Sequence, residues 1–182
     1  MADEPIPEPK WRSPARRAAP RVSLDRDAIV QAALGVLDRD GADGLTMRRV
    51  AEELGTGAGA LYWHVGNKEE LLNLLIDRIS SEIRLPEPDP ARWQEQLKEV
   101  ARETRTVFKR HRDIARLTFG RVPIGPNLVR FVEWQLALLR AAGVPDRTAA
   151  LAGDLFALYV GAFAYEESLP FASPAGDDAP PH

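Results

Sequence analysis

Three ring side chains stand in a row at Tyr62, Trp63 and His64, and Lys68 follows four residues later. Successive helical residues are about 100° apart, so three in a row sweep roughly 200° of a helix surface. A helix of a small domain buries a stripe a little over 100° wide, so at least one ring must face out of the core. Exposed rings at that density do contact chemistry with something outside the fold. Bond-breaking chemistry finds less support. The 182 residues hold no cysteine and three scattered histidines, His64, His111 and His182. Disulfides, thiolate nucleophiles and a structural zinc site are therefore not expected. There is no nucleophile elbow, phosphate-cradling glycine loop or HExxH motif. We expect no enzyme, no metal and no cofactor; a small helical hydrolase is the weakest alternative.

The elements around the rings must hold them in place. Leu45 to Lys68 reads as two short helices joined by a glycine-bearing turn. Thr46 is a candidate N-cap for the first, with Val50, Ala51 and Leu54 inward and Gly55 as its stop. Leu61 and Val65 are the core-facing residues of the second. So short a turn is the geometry of a helix-turn-helix, which lays its second helix in the DNA major groove. A third helix starts at once. Asn67 can cap it, Glu70 can reach back to the N–H of the cap, and Lys68 sits in the exposed first turn. The competing reading is an ordinary helical hairpin whose rings are core. Upstream, Asp25 can cap a helix with Ile29, Val30, Ala33, Leu34 and Leu37 on one face, ending at Asp40-Gly41. This three-helix unit is marginal alone, so the fourth helix must tie it to the rest through Leu71, Leu75 and Ile79.

From Leu24 to about Ile83 the sequence resembles the DNA-binding domain of the TetR family of bacterial transcriptional regulators. The stretch LYWHV-x-NK, residues 61–68, is similar to the tetracycline-repressor branch in particular. The resemblance implies an all-α protein with an N-terminal helix-turn-helix DNA-binding domain and a C-terminal helical ligand-binding and dimerisation domain. Its implied function is that of a ligand-responsive homodimeric repressor on a palindromic, double-stranded DNA operator. Thr46 and Arg48 of the motif's first helix would lie among the DNA contacts, with Arg48 entering the groove. Tyr62, Trp63, His64 and Lys68 would contact phosphates and thymine methyls. The family's base-reading positions fall on Ala58, Gly59 and Ala60, which are smaller here than in that branch. Small side chains cannot make bidentate hydrogen bonds to a base edge. Sequence reading would then lean on Arg48 and on DNA shape. A helical partner-binding protein that has lost DNA affinity is the alternative these small residues keep open.

The net charge of −3 looks wrong for a DNA binder unless positive charge is concentrated. Lys10, Arg12, Arg16, Arg17 and Arg21 form an acid-free run, expected as a disordered basic arm over residues 1–23 that is attracted to phosphate or is a solvated tail without a role. Residues 3–9 are acidic and proline-rich with no apolar stretch of a signal peptide, which points to the cytoplasm. Prolines 86, 88 and 90 break the helical pattern and mark a boundary between residues 24–85 and a second domain over 86–170, with a disordered tail at 171–182.

In that second domain Asp89 and Pro90 open a helix with Trp93, Leu97, Val100, Ala101, Thr104 and Phe108 along one side. Asn127 and Asp146 are candidate caps for two further helices, both apolar on nearly every side and so expected to be enclosed by protein. Lipid is not expected, because Asp154 interrupts an apolar run read as shorter than the roughly 20 residues that span a bilayer. Gly153 and Gly161 would let another helix approach, favouring self-association over simple core burial. No further long helix follows before the tail. A small-molecule effector is implied by the resemblance; positions matching the tetracycline and magnesium contacts hold Arg84, Val100, Thr104, Thr118 and Arg121, without the metal-binding histidine, so tetracycline is not expected. Phe108, Trp134, Phe156 and Tyr159 could line an apolar pocket with His111 as polar anchor, or be plain core.

Overall fold

Helix α1 covers Arg26–Gly44 and starts where the Asp25 carboxylate accepts from Ala28 N at 2.8 Å. It breaks at Gly41, whose φ of +76° favours glycine. The computed structural model describes residues 24–122 and 124–169, so the basic arm and the tail expected from the sequence lie outside the described residues. Helix α2, Met47–Glu53, is capped by Thr46, which accepts from Arg49 N at 3.1 Å; the chain then turns through Gly55 at φ +64°. Helix α3 is a single turn, Ala58–Leu61. The three rings therefore do not ride on a regular helix, as the sequence suggested, but on the turn immediately after one. Gly57 offers no capping side chain, and Gly59 disfavours helix within a four-residue element.

Helix α4, Lys68–Ser80, is capped by Asn67, whose side chain accepts from Glu70 N at 2.8 Å. Glu70 reaches back as expected but one residue further, accepting from Gly66 N at 2.8 Å. Ile29, Ala33 and Leu37 of α1, Val50 of α2, Leu61, Val65, and Leu71, Leu75 and Ile79 of α4 are sealed in one core. Burying each such aliphatic side chain stabilises by roughly 1.5–3 kcal/mol, enough to fix the short α2 and α3 that could not persist alone.

A 3-10 turn at Pro90–Arg92, begun by Asp89, leads into α5, Trp93–Arg110. Its inward stripe holds Gln96, Val100, Thr104 and Val107, with Trp93, Leu97 and Phe108 half-buried beside it. The short α6, Ile114–Thr118, precedes α7, Pro126–Ala141, and α8, Asp146–Ser168. Neither expected cap of the last two helices acts as one. Helix α7 is entered through Gly125, and α4 supplies the missing acceptor: Asp77 Oδ1 accepts from Asn127 N at 2.8 Å and Leu128 N at 3.1 Å, while Oδ2 accepts from Asn127 Nδ2 at 2.8 Å. A Cβ at Gly125 would meet Asp77 Oδ1 at 2.1 Å, so only glycine lets the carboxylate come this close. Pro145 occupies the N-cap of α8, and Asp146, its first residue, pairs with Arg140 at 2.9 Å.

Three expectations about α8 are corrected. At 23 residues it is long and apolar enough to cross a bilayer, so the length argument against lipid does not hold. Nor do the described residues enclose it: Leu151, Leu155, Leu158, Tyr159 and Phe163 are exposed. The two glycines do not lie on that free face. Gly153 looks toward Gln135 of α7 and Gly161 toward Thr118 and Phe119, inside the chain's own fold.

Asp77→Ala leaves two helix-start N–H groups without their acceptor, and we expect a loss of about 1–3 kcal/mol in urea denaturation at fixed protein concentration. A loss under about 0.5 kcal/mol, the range of a featureless surface change, would show that water caps α7 equally well.

Candidate nucleic-acid interface and effector cavity

The rings end up outside. Trp63 is 90% exposed and Tyr62 52%, whereas Leu61 and Val65 on either side of them are fully buried. The turn that carries them is anchored by Arg26, whose Nε donates to the carbonyl of His64 at 3.0 Å while Nη2 holds Glu70 at 3.1 Å. Its backbone is thus tied to α1 and to α4 at once. His64 is half-buried. Lys68, the first residue of α4, is exposed. A wholly exposed indole gains nothing from folding, so its presence calls for a partner.

Arg48 projects from α2 with 86% of its side chain exposed, resting against Glu52 at 2.9 Å. The hydrogen bond from Arg48 holds the Glu52 carboxyl below the usual carboxylate range. Such an exposed pair contributes little and opens at small cost when phosphate or a base edge is offered. Arg49 turns back to Asp40 of α1 at 3.1 Å, and that hydrogen bond keeps the Asp40 carboxyl below its ordinary range, bracing α2 against its support. Thr46 uses its oxygen as the cap of α2, which leaves its hydroxyl proton free to donate outward. Ala58 and Ala60 are half-buried and Gly59 is exposed; nothing lies near where a Cβ at Gly59 would be. The backbone of α3 is therefore open to close approach from outside at Gly59.

A cavity of about 380 Å³ opens among α4, α5, α7, α8 and the link after α6. Phe108 and Phe156 line it as expected from the sequence. The other three candidates do not. Trp134 is buried with its indole N–H given to the carbonyl of Pro86. His111 is buried at the α5–α6 corner, where Nδ1 lies 3.3 Å from Asp38 and Nε2 3.3 Å from Glu82. Tyr159 is 71% exposed on the outer side of α8, stacked on Phe163. Helical spacing alone could not tell a cavity wall from the opposite face of the same helix. Of the positions brought in by resemblance, Thr104, Thr118 and Arg121 line the cavity, while Arg84 and Val100 belong to a separate shallow cleft.

Gln135 is the residue that sequence reading missed. It is 3% exposed, lines the cavity, and its Nε2 has no hydrogen-bond partner among the described residues. A buried donor left unpaired costs about 1–3 kcal/mol, so this one marks a place where an acceptor on a bound molecule would be held. Its signal was a lone amide in the apolar run around LVRFVEWQLALL. Among the described residues no group of three or more His, Asp or Glu is placed to hold a metal ion.

The family model described as bacterial regulatory proteins, tetR family, matches residues 29–75, and that for the tetracyclin repressor-like C-terminal domain matches residues 85–176. The HTH-type transcriptional repressor DrrR1 of Streptomyces coeruleorubidus is 39% identical over 140 residues, which cover 74% of this chain and 50% of DrrR1. This chain thus spans about half the length of that relative. ActR of Streptomyces coelicolor, in its ligand-free crystal structure, superimposes with a TM-score of 0.77 at 50% identity over 80% of this chain and 69% of ActR; it has also been solved in complex with actinorhodin. BioQ solved with its double-stranded DNA operator matches with a TM-score of 0.71 at 35% identity, covering 80% of this chain and 88% of BioQ. With the helix-turn-helix, the shared fourth helix and the helical second domain all accounted for, the chain belongs to the TetR family of bacterial regulatory proteins.

Proposed function

We propose that the protein is a ligand-responsive transcriptional repressor that binds a palindromic DNA operator as a homodimer in the cytoplasm. The observation that carries this reading is the exposure of Tyr62 and Trp63 on a turn whose flanking residues are buried and whose backbone is pinned. Lys68 adds a cation beside them at the start of α4, and Arg48 supplies the one long side chain of α2 free to enter a groove. With Ala58, Gly59 and Ala60 unable to form bidentate contacts, Arg48 is the base-reading residue and the rest position the duplex.

Dimerisation is supported by the exposed apolar face of α8, where Leu151, Leu155 and Leu158 recur at helical spacing and are left uncovered by the described residues. A two-fold partner across this face presents two reading heads to half-sites roughly 34–36 Å apart on one side of the duplex. The effector enters the 380 Å³ cavity, whose aromatic walls suit a flat organic ring system and whose Gln135 amide donates to a carbonyl on it. The likeness to ActR, solved in complex with actinorhodin, supports a small-molecule ligand. Because α4 forms one wall of the cavity and also carries Lys68, a ligand that prefers one tilt of α4 changes the spacing of the heads.

Selection of bound duplexes from a random DNA pool tests the reading: a two-fold symmetric consensus is expected, with affinity that falls steeply as salt rises. Absence of both would leave a partner-binding protein. The double variant Tyr62→Ala, Lys68→Ala should weaken binding to every sequence and move thermal stability within about 0.5 kcal/mol. Arg48→Ala should relax preference at one base pair per half-site, costing about 1–3 kcal/mol; unchanged preference at every operator position would reject its role. In sedimentation, Leu155→Glu should convert dimer to monomer, and an unchanged dimer would move the interface elsewhere.

A further inference from the structure

Arg121 faces two ways. Its side chain is 22% exposed and lines the cavity from the link after α6. Nε donates to the carbonyl of Leu117 at 2.8 Å, and Nη1 donates to Glu69 Oε2 at 2.6 Å and more weakly to Asn73 at 3.4 Å. Nη2 makes no hydrogen bond to the described residues. Glu69 is the second residue of α4, next to Lys68, and its carboxyl is held below the usual range chiefly by the hydrogen bond from Arg121. One guanidinium therefore joins the cavity wall to the first turn of the helix that carries a proposed phosphate contact.

The cavity is otherwise mostly apolar. Arg121 is the sole cationic side chain among the described residues that line it, and Asp154, the sole acidic one, is an exposed residue of α8. We propose that the cavity takes an organic anion, an aromatic molecule bearing a carboxylate or sulfonate, whose acidic group captures the Arg121 guanidinium and releases Glu69. This rests on the effector reading above and specifies the ligand's chemical class. An anion entering an apolar cavity needs a charged, hydrogen-bonded partner, and a mostly buried guanidinium with an uncommitted N–H edge supplies one. The partner it gives up is easily lost. Glu69 has 69% of its side chain exposed, so water solvates it once freed, and an ion pair that exposed contributes little. The exchange strengthens the pairing inside the cavity and unties the link after α6 from α4, so binding and release of the head become one event.

The test uses the full chain and two fluorescent probes with the same rings: 8-anilinonaphthalene-1-sulfonate, an anion, and N-phenyl-1-naphthylamine, which lacks the sulfonate. We expect Arg121→Met to lower the preference for the anion over the neutral probe about tenfold, the effect of one charge-assisted hydrogen bond. Arg121→Lys should retain part of the preference, and Glu69→Gln should tighten the anion alone, because the competing carboxylate is gone. Ala157→Trp, which fills the cavity, should abolish binding of both probes. An unchanged preference in Arg121→Met, a Glu69→Gln variant that fails to favour the anion, no anion binding to the unaltered protein, or full binding in Ala157→Trp would each overturn the proposal. None of these measurements involves DNA, so operator binding can stand or fall separately.

Discussion

The carboxylate of Asp77 holds the two halves of the molecule in register. It is buried on α4 and receives three hydrogen bonds from the first residues of α7, so the helix that completes the reading head's core also terminates the core of the second domain. A helix start exposes N–H groups that need acceptors and carries partial positive charge; a buried anion placed there meets both needs. That tie adds to the aliphatic core packed on α4 and limits how far the head can rock on the rest. With it, any change in the second domain that shifts α7 or the link after α6 is felt at α4.

Among the other polar ties between the two halves, three differ in how readily they break. Asp113, itself in a left-handed conformation, accepts from Ala42 N at 2.9 Å and fixes the kink of α1 against the α5–α6 corner. His111 lies nearby between Asp38 of α1 and Glu82 just beyond α4. Both contacts are partly buried and brace the back of the head. The pair between Arg121 and Glu69 lies at the other end of α4, more exposed and next to the cavity. A head held firmly at one end of a helix and loosely at the other can pivot, and the loose end is the one that a cavity ligand can touch. That asymmetry would give the proposed ligand response a physical seat in these particular residues.

The outward faces follow from the same economy of burial. The exposed rings at 62 and 63 and the exposed leucines on α8 are two places where the described residues leave large apolar side chains in water; Val122 and Ile124 at the mouth of the cavity are a third. One sits on a rigid, pinned turn beside cations and suits a charged polymer. The α8 face is long and mostly apolar, with Asp154 exposed beside its leucines, which suits a second copy of itself.

Much of this was legible in the order of residues. The caps at Asp25, Thr46 and Asn67, the inward stripes of α1 and α4, the stop at Gly55 and the outward placement of at least one ring depend on neighbours within four residues, and local chemistry fixes them. The proline run from 86 to 90 likewise set the break before α5 by removing N–H donors. What required the tertiary structure were relations between residues far apart in the chain. The cap of α7 comes from a residue 50 positions upstream, and Gly125 is demanded by that carboxylate's approach rather than by a turn. Which of several aromatics at equal helical spacing faces a void depends on the packing angles of three helices, so Trp134 and Tyr159 were misplaced while Gln135 went unseen. Periodicity reports the side of a helix a residue occupies; only the packed neighbours decide whether that side meets protein, water or an empty space.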